Sequence, residues 1–224
     1  MLFIFIAGAS GSGKTEFSER LVKKLAEDKY KAVMLSMDHY YKTKIARQKT
    51  ADPTNFDTPE ALDIELFHEH LCQLEQNITI SRPTYCFERQ DRLDTTESVN
   101  PKELDVIIVE GIFALHNLDK LQLTKITVFI ENDWFLSYRG RRSKRDEKER
   151  GVTPEETKKK GRIVDAAFFK TVLPQKNNVD IILDNNNRAE DKLSYFDRLI
   201  SEDLMPFIRN KSVLSSDCFY LSRG

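Results

Sequence analysis

Residues 8–15 read Gly8-Ala9-Ser10-Gly11-Ser12-Gly13-Lys14-Thr15 and match GxxxxGK[ST], the pattern of a phosphate-binding loop. An apolar run, Leu2–Ala7, precedes this loop and predicts a buried strand. An amphipathic helix is predicted after the loop, with apolar side chains on one face at Phe17, Leu21 and Leu25. Glycines let backbone N–H groups surround a phosphate, Lys14 adds positive charge, and the Thr15 hydroxyl is a potential Mg²⁺ ligand. We therefore expect ATP or GTP to bind here together with Mg²⁺.

Short apolar runs alternate with helical stretches along the chain. After Leu2–Ala7 they recur at Ala32–Ser36, Val106–Val109, Ile126–Ile130 and Val179–Leu183. Strands that alternate with helices predict an α/β fold built on a parallel central sheet. Together with the phosphate loop, this order predicts the three-layer P-loop NTPase fold, as a single domain over residues 1–224.

The stretch from about residue 77 to 100 departs from this alternation. Short β-prone pieces at Ile78–Ile80 and Thr95–Val99 flank a loop-like segment, which predicts a hairpin excursion from the sheet and a substrate lid. Before it, Thr58 and Pro59 form an N-cap and first-turn pair that predicts the start of a helix. The apolar face of this helix carries Ile64, Phe67, Leu71 and Leu74, and we expect His68 and His70 to be surface residues.

Composition limits the classes of partner. The 224 residues carry 35 Lys and Arg against 36 Asp and Glu, and the net charge of −1 gives no global field that would attract nucleic acid or a membrane surface. The apolar start is too short to span a bilayer. Cys72, Cys86 and Cys218 are odd in number and lack CxxC spacing, so we interpret them as reduced thiols of a cytoplasmic protein.

Carboxylates follow two of the predicted strands. Glu110 comes directly after Val106–Val109, where a P-loop protein places a second Mg²⁺ ligand, although an acidic strand end can also be merely solvated. Asp38 follows Ala32–Ser36 and should emerge at the same sheet edge as the phosphate loop. There it can accept the proton of an acceptor hydroxyl as a phosphoryl group is transferred, although a turn-forming or capping role is the plainer alternative.

Residues 139–150 read RGRRSKRDEKER, a run of seven basic and three acidic side chains on a helix expected to begin at Asn132 and Asp133. Such a run is typical of a solvated helix face, and it can also bind nucleic acid. In a P-loop kinase, arginines of a mobile lid instead close over the phosphates and exclude water. We therefore expect a helical lid over about 139–162.

The segments GASGSGKT, SMDHYY, NFDTPEALD, PTYCF, VEGIFAL and RRSKRDEKERG together resemble the uridine kinases of the phosphoribulokinase and uridine kinase superfamily, over roughly residues 1–184. The resemblance implies an ATP-dependent kinase of small alcohols in which Asp38 is both catalytic base and magnesium-associated carboxylate and Glu110 is the other metal-site acid. It implies that Lys14 and Arg145 assist transfer, that Arg145 and Arg150 bind the nucleotide, and that the chain forms a homo-oligomer. The acceptor-binding residues that it implies are Asp38, Tyr40, Asp57, Tyr85, Phe87, Gln90 and Arg142.

Two positions depart from the family pattern. A histidine that contacts the base is replaced by Gln90, and the lid arginine that would follow Gly151 is replaced by Val152, which donates no hydrogen bond. The transfer machinery is thus complete while base recognition is altered. The first hypothesis is a uridine or cytidine kinase that forms the 5′-monophosphate. The alternatives are a kinase of another small alcohol, such as pantothenate, glycerate or a sugar phosphate, and a nucleotide-binding regulator or RNA-associated ATPase.

Overall fold

The computed structural model describes residues 1–133, 165–186 and 192–209, together with Lys144, Thr153, Glu155 and Gly161. A five-stranded parallel sheet forms its centre, in the order β2-β5-β1-β6-β7. These strands are β1 (Leu2–Gly8), β2 (Ala32–Ser36), β5 (Val106–Glu110), β6 (Lys125–Glu131) and β7 (Ile181–Asp184). The α/β fold and the parallel sheet predicted from the sequence are confirmed.

Helices cover both faces of this sheet. α3 (Ile64–Glu75) lies on one face, and α1 (Lys14–Glu27), α4 (Lys192–Arg198) and α5 (Met205–Arg209) lie on the other, while the short α2 (Lys44–Arg47) follows β2 and its turn. Two π-helical segments, Phe168–Val172 and Leu199–Leu204, lie among the later elements, and the second joins α4 to α5. Among the described residues, no helix is both long and apolar enough to cross a membrane.

Strand β1 divides the core because its successive side chains point to opposite faces of the sheet. Phe3, Phe5 and Ala7 pack in one hydrophobic cluster with side chains of α3 and of the segment after β5. Leu2, Ile4 and Ile6 pack in a second cluster with α1 and the helical segment 192–209. Every residue of β1 is buried, so the continuous apolar run seen in the sequence reflects burial on both sides.

The hairpin excursion lies within the predicted residues 77–100, but its strands are longer than the two short pieces that the sequence indicated. Strands β3 (Ile80–Cys86) and β4 (Asp91–Val99) form a separate antiparallel sheet, with an irregularity between Pro83 and Tyr85. The stretch interpreted as a loop is therefore mostly strand, and only the short turn at residues 87–90 joins the two. Pro83 interrupts the pattern of β3. In β4 many residues are charged or polar, because most of this strand is exposed and needs no apolar face.

Two further expectations are wrong. Thr58 and Pro59 open a 3₁₀ turn, Pro59–Ala61, while α3 begins later with Asp63 as its N-cap, whose side chain accepts a hydrogen bond from the Leu66 amide. His70 is not a surface residue. It is buried on the inner face of α3, because its ring has a hydrogen-bonding partner in the core.

Candidate active site

The phosphate loop, residues 8–15, connects the end of β1 to the start of α1. The ammonium of Lys14 donates hydrogen bonds to the carbonyl oxygens of Gly8 and Ala9, at 3.1 and 2.8 Å. Lys14 is buried, so its charge is held inside the loop and close to where a phosphate would bind. The loop is thus formed around the lysine, with the N-terminus of α1 directed at the same position.

Glycine is required at two positions of this loop. Gly13 has a φ of 93°, and a Cβ atom there would lie 3.1 Å from the Phe196 ring. Gly8 lies so close to β6 that a Cβ atom would come within 2.5 Å of the Ile130 carbonyl oxygen. The spacing of glycines in the motif therefore reflects both backbone conformation and close packing.

Asn185, which follows β7, supports the loop from the opposite side. Its side-chain amide donates to the Ser12 carbonyl at 2.7 Å, and its backbone N–H donates to the Glu131 carbonyl at 2.7 Å. The Ser12 hydroxyl and the Asn185 side-chain carbonyl are buried and have no partner among the described residues. Sequence reasoning missed Asn185, because nothing in a run of asparagines indicates which one faces a loop that is remote in sequence.

Glu110 stands at the end of β5, between the ends of β1 and β2. Its carboxylate accepts hydrogen bonds from the Thr15 hydroxyl at 3.3 Å and from the Ser36 hydroxyl at 2.5 Å. Burial raises the pKa of the Glu110 carboxyl, and the negative charge of Asp38 raises it further, whereas Lys14 and the two hydroxyls oppose the shift. The negative potential here favours a cation.

Asp38 lies in the 3₁₀ turn Met37–Tyr40 that follows β2 directly. The Ser36 hydroxyl accepts a long hydrogen bond, 3.4 Å, from the Asp38 backbone N–H, so Ser36 links the turn to Glu110. Gly111 permits a close approach, since a Cβ atom there would lie 2.6 Å from the Met37 side chain. The structure therefore brings the Asp38 turn, Glu110 and the phosphate loop to one edge of the sheet.

Tyr40 is fully buried, and its predicted role in binding the acceptor stays a prediction. Its hydroxyl lies 2.9 Å from Nδ1 of His70, and its ring packs edge-on against Phe67 and His70. Burial raises the Tyr40 pKa strongly and lowers that of His70, so both groups stay uncharged at neutral pH. Tyr40 therefore anchors the Asp38 turn to α3, and its side chain stands in the core.

A group of aromatic rings lies beyond the Asp38 turn. Tyr41 contacts Phe56, Tyr85 and Phe87, with ring centroids 5.4, 5.3 and 6.1 Å away. Tyr85 and Phe87 also contact each other edge-on at 5.3 Å. Asp57, next to Phe56, is buried. The predicted acceptor residues Tyr85 and Phe87 thus contact each other, and Asp57 follows Phe56 of the same group, whereas Gln90 is exposed at the hairpin turn with a φ of 52°.

Arg92 of β4 fastens the hairpin to the Asp38 turn. Its guanidinium donates to the carbonyl oxygens of Tyr41 at 2.7 Å and Tyr40 at 3.1 Å, and it pairs with the Asp63 carboxylate at 3.2 Å. These contacts keep the aromatic group and the carboxylate edge in a fixed relation. Nothing in the sequence indicates this role, because Arg92 is one of several charged residues in a polar stretch.

The lid expected over about 139–162 lies almost entirely outside the described residues, and Arg142, Arg145 and Arg150 are among those not described. Their assignment to substrate and phosphates stays a prediction.

Cys72 and Cys86 are free cysteines, while Cys218 is also outside the described part of the chain.

The residues at the sheet edge fit Mg²⁺ and a nucleoside triphosphate. A hydroxyl and a carboxylate, from Thr15 and Glu110, are the hard oxygen donors that Mg²⁺ takes in proteins, and two protein ligands leave positions for phosphate oxygens and water. The loop amides and Lys14 suit the phosphates. Asp38 is near enough to Glu110 to alter its pKa, so it belongs to the same electrostatic site.

A fold of parallel strands with a phosphate loop and carboxylates at one edge defines a P-loop phosphotransferase. The Phosphoribulokinase / Uridine kinase family model matches residues 3–190, and the chain therefore belongs to this family and is an ATP-dependent phosphotransferase.

Among curated proteins, the chain is 40% identical to a uridine kinase of Macrococcus caseolyticus over 157 residues, which is 68% of this chain and 72% of that protein. Solved structures share the fold. A possible uridine kinase from Bacillus stearothermophilus superposes with a TM-score of 0.56 at 19% identity, covering 82% of this chain and 88% of that one. Phosphoribulokinase from Rhodobacter spheroides gives a TM-score of 0.57 at 13% identity, covering 81% and 69%.

Proposed function

We propose that this protein is a pyrimidine nucleoside kinase, which transfers the γ-phosphoryl group of ATP to the 5′-hydroxyl of uridine or cytidine in the presence of Mg²⁺. The observation that carries the proposal is the joining of two half-sites by one short turn, Met37–Tyr40. On one side of this turn lie Glu110 and the phosphate loop, and on the other lies the aromatic group of Tyr41, Phe56, Tyr85 and Phe87.

Each half-site supplies one requirement of the reaction. The loop amides and Lys14 hold the phosphates, Thr15 and Glu110 hold the cation, and Asp38 orients the 5′-hydroxyl and accepts its proton. When bound, Mg²⁺ neutralises charge on the phosphates. The aromatic rings provide an apolar surface for a base, and we assign to Asp57, which follows Phe56 in the chain, the role of accepting hydrogen bonds from ribose hydroxyls. The similarity to curated uridine kinases supports the same substrate class.

A coupled assay of ADP release across a panel of acceptors tests this proposal. The panel contains uridine, cytidine, adenosine, thymidine, pantothenate, glycerate and ribulose 5-phosphate, and mass spectrometry identifies the product. We expect uridine or cytidine to give the highest kcat/KM and a 5′-monophosphate. Lys14→Met serves as the inactive control. ADP release that responds to another acceptor and not to nucleosides would contradict the proposal.

The second candidate is a kinase of another small alcohol. It is favoured by Gln90, whose exposed place at the hairpin turn leaves base recognition to other residues. The same panel distinguishes it. An RNA-associated ATPase would instead show salt-sensitive RNA binding and ADP release without any small acceptor.

A further inference from the structure

Arg47 is a buried cation beside the aromatic group. It ends the short helix α2, which Thr43 caps by accepting a hydrogen bond from the Ala46 amide at 3.2 Å. Only 4% of Arg47 is exposed, although arginine is rarely buried unless it is paired. The cost of burying this charge must therefore be offset by its contacts.

The partners of Arg47 satisfy only part of its hydrogen-bonding capacity. The guanidinium carbon lies 4.1 Å from the centroid of the Phe56 ring, which is a cation–π contact, and one terminal nitrogen donates to the Gln90 carbonyl oxygen. The Nε–H is buried and has no partner among the described residues, and within that part of the chain no carboxylate forms a salt bridge with Arg47. At least one donor is thus left for another acceptor.

The position of Arg47 matches the place where base recognition is altered. Phe56, on which it stacks, belongs to the aromatic group through Tyr41, and Gln90 is the residue of the hairpin turn that the family resemblance assigns to the base. In the stretch predicted to form the lid, the sequence has Val152 where the family pattern has an arginine. Arg47 is thus a charged donor on α2 that lies against the Phe56 ring and the Gln90 carbonyl oxygen.

We propose that Arg47 is a specificity-determining residue of the acceptor pocket and that its Nε–H donates to a ring carbonyl oxygen of the pyrimidine base. This inference rests on the proposed function, because it names the residue that reads the base. An oxygen acceptor completes the hydrogen bonding of a cation that is already withdrawn from water. The charge of Arg47 also disfavours a base edge that presents a donor at the same point.

Steady-state kinetics of the full chain test the proposal with Arg47→Met, which keeps the length of the side chain and removes its donors. The acceptors are uridine, 2-thiouridine and 4-thiouridine, since sulfur is a weak acceptor at either carbonyl position. Arg89→Met is the matched control, because Arg89 is exposed in the same hairpin turn and its loss removes the same charge. Arg47→Lys provides a variant that retains the charge if the methionine variant unfolds.

We expect Arg47→Met to raise the KM for uridine by about tenfold to a hundredfold, with the KM for ATP and kcat changed less than threefold, since a lost hydrogen bond to a charged group has roughly this effect. One thio analogue should raise the KM of the unaltered enzyme similarly and should have no added effect in Arg47→Met. Arg47→Lys should also raise the uridine KM, and Arg89→Met should leave it unchanged.

Two results overturn the inference while leaving the proposed function intact. In the first, uridine is phosphorylated and Arg47→Met has an unchanged uridine KM. In the second, Arg47→Met and each thio analogue raise the KM by factors that multiply when the two changes are combined. Arg47 and the ring carbonyl oxygens would then act independently of each other. If the unaltered enzyme ignores nucleosides and instead phosphorylates a carboxylated or phosphorylated alcohol, the proposed function fails, and the base-reading role of Arg47 fails with it.

Discussion

The Asp38 carboxylate is the group on which the proposed chemistry depends most directly. We predict that Asp38→Asn lowers kcat at least a hundredfold, because general-base assistance contributes roughly 10²–10⁴ to a rate. The Kd for ATP, measured by calorimetry, should be nearly unchanged, since the phosphates are held by residues 8–15 and the charge of Lys14, and Asp38 is not one of these residues. Asp94→Asn, an exposed change on β4, is the control, and turnover near that of the unaltered enzyme in Asp38→Asn would remove Asp38 from the mechanism.

Glu110 shows the conflict between stability and cation binding at a buried carboxylate. We predict that Glu110→Gln leaves the nucleotide-free unfolding temperature unchanged or raises it, because the substitution removes a buried charge next to Asp38. The Mg²⁺-dependent turnover should fall at least about tenfold, since a neutral amide binds a hard cation more weakly.

Calorimetric scans and Mg²⁺ titrations measure these two effects. The matched control is Glu131→Gln, at the end of β6, whose carboxylate pairs with Lys176 at 2.6 Å and lies outside the proposed site. Equal effects of the two substitutions on the Mg²⁺ dependence would show that Glu110 has no special role.

At the scale of elements, the hairpin β3–β4 acts on the site through Arg92. We predict that Arg92→Met raises the KM for the acceptor by about tenfold while the KM for ATP stays within about twofold, because three contacts to the Tyr40–Tyr41 backbone and to Asp63 are lost. Arg82→Met is the control, since Arg82 pairs with Glu97 inside the hairpin. Equal shifts of both KM values would indicate general loosening of the fold.

Elements that repeat a simple pattern could be predicted, and those that depend on remote partners could not. The five sheet strands were predicted within a few residues, because a strand buried on both faces leaves a continuous apolar run. Of the hairpin, only Thr95–Val99 of β4 and the first residue of β3 were predicted, because these strands carry no continuous apolar run. The roles of three further residues could not be predicted, because they depend on contacts with residues far away in the chain, which leave no local signal in the sequence. These residues are Asn185, Arg92 and Arg47.

At the scale of the whole molecule, buried histidines connect the fold to pH. Burial lowers the pKa of His70 below its ordinary value, so the unfolded chain binds a proton more readily than the folded one. The contribution of His70 to the free energy of unfolding is therefore complete above the unfolded pKa of about 6.5. It is lost as the pH falls from there through the lowered pKa of the folded state.

We predict that His70→Gln reduces the stability lost between about pH 7.5 and pH 5.5, because glutamine does not titrate and can still bond to Tyr40. Urea unfolding at several pH values measures the difference. Between about pH 7.5 and pH 8.5 both proteins should show the same pH dependence, since His70 is neutral there in both states. A decline at acid pH that is as steep in the variant would assign it to other groups.

The central place of β1 has a consequence for how the chain is made. Its residues bond to β5 at residues 106–110 and to β6 at residues 125–130, and both partners leave the ribosome long after it does. Until then a wholly apolar segment lacks its neighbours, and such segments are where nascent chains aggregate. The sheet can assemble only after most of the polypeptide has been made. Synthesis interrupted before β6 should therefore leave a product that is prone to aggregate and depends on chaperones.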